Sequence, residues 1–156
     1  MRSHATRKTA AKTTTRPESA AVEYFRRKLE FDIGPYALKQ ILDTTPARVK
    51  VLDVRSAEAY AEAHIPTALS FPLADLAGRL ATLPKDTTIV TYCGDITCPL
   101  SSRAAQELAQ NGFTVQHLVG GIVEWSRKGY PVESAQPRQA EPPELTEQKQ
   151  NGGPME

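Results

Sequence analysis

Four short runs that read as strands, 49–54, 68–71, 88–93 and 114–119, alternate along the chain with segments of helical period. This alternation restricts the fold more than any other feature. Strands that take turns with helices assemble into βαβ units, so a parallel α/β sheet is expected. In such sheets the site lies at the carboxyl ends of the strands.

The helical segments carry their own signals. Pro35 opens one with Leu38, Ile41 and Leu42 on one face. Ser56 is placed to cap another, with Glu58 in its first turn and Ala59 and Tyr60 inward. Leu73, Leu76 and Leu80 keep helical register, and Ala104, Ala105, Leu108 and Ala109 line a helix over 100–111 that Gly112 stops. After the Gly120-Gly121 turn a closing helix over 122–128 carries Trp125. A helix over 21–29, with Val22, Phe25 and Leu29 at helical spacing, precedes the first strand.

At 156 residues one domain is expected. Residues 1–19 hold Arg2, Arg7, Lys8, Lys12 and Arg16, and residues 135–156 are rich in Pro, Gln and Glu. Neither stretch can bury enough surface to offset ordering entropy, so both are expected to be disordered around a domain at 20–134. The net charge of +1 and a basic arm without interleaved aromatics speak against nucleic acid. No apolar run is long enough to span a bilayer, so no membrane association is expected. No n-region and h-region pair is seen, so no secretory signal is expected, and two cysteines do not make a disulfide framework. The expected location is the cytoplasm. The alternative is an organelle, because the Arg-rich, acid-poor arm resembles a presequence.

Cys93 ends the run 88–93 and is followed by a short polar loop and a helix starting near Ser101. A thiol there meets backbone N–H groups and the positive end of a helix dipole, both of which favour the thiolate. The expectation is a nucleophilic cysteine titrating below an ordinary thiol at about 8.5, with Asp95 opposing the shift. The plain alternative is a buried packing cysteine.

Six segments in order then resemble a rhodanese domain: 51–55 (Val-Leu-Asp-Val-Arg), 63–66 (Ala-His-Ile-Pro), 89–93 (Ile-Val-Thr-Tyr-Cys), 101–105 (Ser-Ser-Arg-Ala-Ala), 112–113 (Gly-Phe) and 120–125 (Gly-Gly-Ile-Val-Glu-Trp). The resemblance implies a doubly wound parallel sheet with helices on both faces, preceded by an N-terminal helical extension. It implies a sulfurtransferase that carries a sulfane sulfur as a persulfide on Cys93. Gly94, Asp95, Ile96, Thr97, Ser101, Ser102 and Arg103 would form the substrate loop and helix start. Asp53, Arg55 and His64 would hold that loop. No metal and no cofactor are called for. The partners implied are a small-molecule or protein persulfide donor and a thiol acceptor or thioredoxin-like reductant.

The sequence departs from the family pattern in places. Ala63 and Thr67 stand where glycines are usual, and the loop lacks the arginines that usually follow the cysteine and close the loop. It holds a second thiol, Cys98, as in a rhodanese subgroup with a Tyr-Cys-x4-Cys loop. Cys98 is a candidate resolving thiol that would release sulfide and leave a disulfide. A rival register makes Cys98 the nucleophile, five residues before Arg103. Two other function classes stay open: a phosphatase or arsenate reductase on the same fold, and a non-catalytic binding module.

Overall fold

In the computed structural model, which describes residues 19–135, Ser19 caps the first helix by accepting the Val22 N–H at 3.3 Å. The chain then runs through α1 (Ala20–Phe31), β1 (Asp32–Ile33), α2 (Pro35–Thr44), β2 (Val49–Asp53), α3 (Ala57–Glu62) and β3 (Leu69–Ser70). It continues through α4 (Leu76–Arg79), β4 (Thr88–Tyr92), α5 (Leu100–Gln110), β5 (Val115–Leu118) and α6 (Gly121–Arg127). The five strands form one sheet in the order β1-β5-β4-β2-β3, and every pair is parallel. The α/β architecture is the expected one, and β4, which leads to Cys93, lies at its centre.

Period-2 alternation divides the core between two faces. Val51, Val90 and Tyr92 pack with Leu38 of α2 and Ile122 and Trp125 of α6. Leu52, Ile89 and Cys93 pack on the opposite face with Leu76 of α4 and Ala104 and Leu108 of α5. Helices therefore cover both sides of the sheet. Tyr92 and Cys93, consecutive in sequence, serve opposite layers.

Two elements differ from the sequence expectation, and a third, α1, forms where a helix is expected but leaves its apolar stripe uncovered. β1 adds a fifth strand, two residues long, paired with His117 and Leu118 of β5. It is too short to show any period. The helix expected across 73–80 is three short turns, Leu73–Asp75, Leu76–Arg79 and Leu80–Thr82. Pro72 precedes them and Gly78, a poor helix former, sits in the middle. The stripe Val22, Phe25 and Leu29 of α1 is exposed, Leu29 by 82%. Expectations for the two chain ends lie outside the described residues. No helix among the described residues is long and apolar enough to cross a membrane.

Candidate active site

The loop between β4 and α5 is organised by backbone bonds. Ile122 N–H donates to the Cys93 carbonyl at 3.1 Å and Val123 N–H to the Gly94 carbonyl at 3.0 Å, so the start of α6 grips the start of the loop. This approach depends on the Gly120-Gly121 pair, both at positive φ. A Cβ on Gly121 would collide with the Cys93 and Gly94 carbonyl oxygens. Gly121→Ala should therefore cost about 1–3 kcal/mol, from a left-handed backbone and a displaced loop together. Urea denaturation checks this, and a variant as stable as the parent would show that the loop yields freely.

Farther along, the loop folds back on itself. The Asp95 carboxylate accepts from Thr97 N–H at 2.8 Å and Thr97 Oγ1 at 2.6 Å, and Cys98 N–H donates to the Asp95 carbonyl at 3.3 Å. The hydroxyl and amide of Thr97 hold the Asp95 carboxyl below the usual carboxylate range. The turn brings Cys98 over Cys93, and the two form a disulfide with Cα atoms 6.3 Å apart. Cys93 is 2% exposed and Cys98 is half-buried.

The remaining sequence-selected residues fall in different places. Ser101 is buried in the first turn of α5, its carbonyl accepting from Thr91 Oγ1 at 2.9 Å. Ser102 and Arg103 are exposed on that turn, and Gly94 is half-buried at the loop's start. Ile96, 76% exposed, borders a groove of about 500 Å³ that also touches Val119, Val123 and Arg127. A cleft of similar size lies at the opposite, amino-terminal edge of the sheet, among Phe31, Arg48, Val49 and Val115, away from both cysteines.

At the carboxyl ends of β2 and β4 a buried polar network joins the two strands. Asp53 and Tyr92 are register partners on β2 and β4, so both point to the α2–α6 face. Tyr92 Oη donates to Asp53 Oδ2 at 2.7 Å and accepts from Ile65 N–H at 3.1 Å. Arg55 pairs with Asp53 through Nε at 2.9 Å and Nη2 at 2.6 Å, and Nη2 also donates to the Ala63 carbonyl at 2.6 Å. Burial opposes the Arg55 charge, but the Asp53 carboxylate outweighs it and the guanidinium is held above its ordinary value. Burial, then the Asp53 charge, push the Tyr92 hydroxyl far above the usual phenol range, so it stays a donor. Tyr92 thus carries the network to the residue before Cys93. Sequence reasoning read it only as part of the Tyr-Cys motif.

His64 is turned elsewhere. Its ring stacks on Tyr60 with centroids 3.8 Å apart, Nδ1 lies 2.9 Å from the Tyr60 carbonyl, and Nε2 is 3.7 Å from Glu133. Its backbone bridges to Glu133 at 2.8 Å in both directions, tying down the segment after α6. The two missing glycines are accommodated differently. Ala63 has φ −161°, extended backbone that any residue adopts. Thr67 has φ 68°, a strained position for a β-branched residue.

Comparison with known proteins agrees with this geometry. Residues 35–128 match the rhodanese-like domain family. The chain is 39% identical over 89 residues to an HTH-type transcriptional regulator of Mycobacterium tuberculosis, covering 57% of this chain and 39% of that protein. It is 35% identical over 102 residues to a protein of Allochromatium vinosum named sulfurtransferase, covering 65% of this chain and 92% of that one. Among solved structures, a Bacillus halodurans protein superposes with TM-score 0.70 at 35% identity, over 74% of this chain and 85% of its own. With most of its strands and helices inside the matched segment, the chain belongs to the rhodanese-like domain family.

Proposed function

We propose that the protein is a sulfurtransferase that carries a sulfane sulfur as a persulfide on Cys93. The observation that carries this reading is the position of Cys93, directly after the central parallel strand and at the approach to α5. In the reduced protein the thiolate attacks the outer sulfur of a donor, and the donor's thiolate leaves. The first N–H groups of α5, which helix geometry leaves without intrahelical partners, favour the anion. A thiol acceptor then takes the sulfur from Cys93. The name of the Allochromatium relative supports the same chemistry.

The loop also bears on the donor. Residues 93–99 contain no arginine or lysine, Arg103 is exposed on α5, and Arg127 is paired with Glu124 at 3.2 Å. A small dianion such as thiosulfate finds no guanidinium fork here. A persulfide donor needs none, and its carrier could rest in the groove beside Ile96. Sulfur transfer from a small-molecule persulfide should exceed that from thiosulfate by about tenfold or more in kcat/KM, the equivalent of one lost charge-assisted bond. Steady-state assays with the two donors and one thiol acceptor test this, and equal rates would contradict it. The exposed Arg103 offers no cradle for a phosphate ester, so the phosphatase reading gains no support.

A further inference from the structure

We propose that Cys93 and Cys98 form a redox pair that reduces sulfane sulfur to sulfide, with Cys93 bearing the sulfur and Cys98 meeting the external reductant. This rests on the persulfide reading of Cys93 above and assigns that site its second half-reaction. Two observations carry it: the loop brings the two sulfurs into bonding contact, and it does so asymmetrically.

The Cα separation of 6.3 Å lies within the range that disulfides span. The contact that makes the bond is the contact a resolving attack needs. Cys93 is packed with Ile89, Ala104 and Leu108, and its carbonyl is held by α6. Cys98 is half-buried, between exposed residues 95–97 and exposed Pro99. In the disulfide form a thiol arriving from solvent is therefore expected at Cys98, because Cys93 is 2% exposed beneath it.

The steps balance. The Cys93 thiolate first takes the outer sulfur of a persulfide donor, whose S–S bond breaks and whose thiolate leaves. The Cys98 thiolate then attacks Cys93 Sγ. The Cys93–Cys98 bond forms, the bond from Sγ to the carried sulfur breaks, and hydrosulfide leaves with that electron pair. The sulfane sulfur is reduced to sulfide while the two thiols are oxidised to a disulfide. A dithiol, named here by class, reopens it. One of its thiolates attacks Cys98 Sγ, expelling Cys93 as thiolate beside the start of α5. Its second thiol then attacks its own sulfur in the mixed disulfide and frees Cys98. The product dithiol is oxidised and the nucleophile is restored.

The test uses fully reduced protein and one equivalent of cysteine persulfide, with no thiol added beyond the cysteine that loading releases, which both proteins meet equally. Wild type should release one equivalent of sulfide, and peptide mapping should find Cys93 joined to Cys98. Cys98→Ser should keep the sulfur on Cys93, with sulfide release lower by tenfold or more. Wild type that keeps a stable persulfide, with Cys98 still free, would overturn the redox pair and leave the sulfurtransferase reading intact. Failure of both proteins to take up sulfur would overturn both. A second arm treats the oxidised wild type with limiting glutathione and then alkylates it. Glutathione on Cys98 with alkylated Cys93 is expected, and the reverse labelling would overturn the assignment of roles.

Discussion

Replacing Cys93 by serine should reduce sulfur transfer by about 10³-fold or more, to background, because a hydroxyl cannot hold a sulfane sulfur. The substitution removes the sulfur, and with it the bond to Cys98, while keeping the shape of the side chain. The side chain is 2% exposed within an apolar layer, and serine fills nearly the same volume. The buried hydroxyl should cost about 1–3 kcal/mol, so the variant is compared after its fold is checked by near-ultraviolet circular dichroism. Transfer from a persulfide donor to a thiol acceptor is the readout. Cys98→Ser should differ in kind: it still loads sulfur, then releases it only to an added thiol. If Cys98→Ser were the inactive variant and Cys93→Ser still loaded, the nucleophile would be Cys98, as the rival register has it.

The second large effect concerns stability. Asp53 is fully buried and accepts from Arg55 and Tyr92 together. Asp53→Ala leaves the Arg55 guanidinium, whose side chain is only 16% exposed, without its counter-charge. It also strands the Tyr92 hydroxyl. Breaking a buried pair from one side costs about 3–5 kcal/mol, several times the worth of an exposed ion pair. Urea denaturation of the reduced protein measures it. The double variant with Arg55→Ala should lose less than the sum of the two single losses, because the pair acts as one unit. A loss below about 1 kcal/mol for Asp53→Ala would place this pair with exposed ones and remove its role in joining the ends of β2 and β4.

What could be read from residues alone follows from where the signal is local. The strands at 49–54 and 88–93 announce themselves because most of their residues are β-branched or apolar and turn residues follow them. Cys93 is locatable because it closes one of them. β1 escapes because two residues carry no period, and its pairing with His117 and Leu118 is a matter of tertiary register. From sequence Tyr92 stands only as part of the Tyr-Cys motif. Its bond to Asp53 depends on the β2–β4 register, which joins residues 39 apart. The Cys93–Cys98 pairing is permitted by spacing but decided by the Asp95–Thr97 turn, which directs the second Cβ toward the first. On α1 the helical spacing of Val22, Phe25 and Leu29 marks a helix that does form, although no layer among the described residues covers the stripe.

Whether Cys93 carries sulfur is decided by intact-mass spectrometry of the Cys98→Ser protein. The reduced variant is exposed to a small persulfide donor, freed of excess donor, weighed and digested. The account predicts a gain of one sulfur atom, located on the peptide containing Cys93. No gain in mass, or a sulfur located on any other peptide, would contradict it.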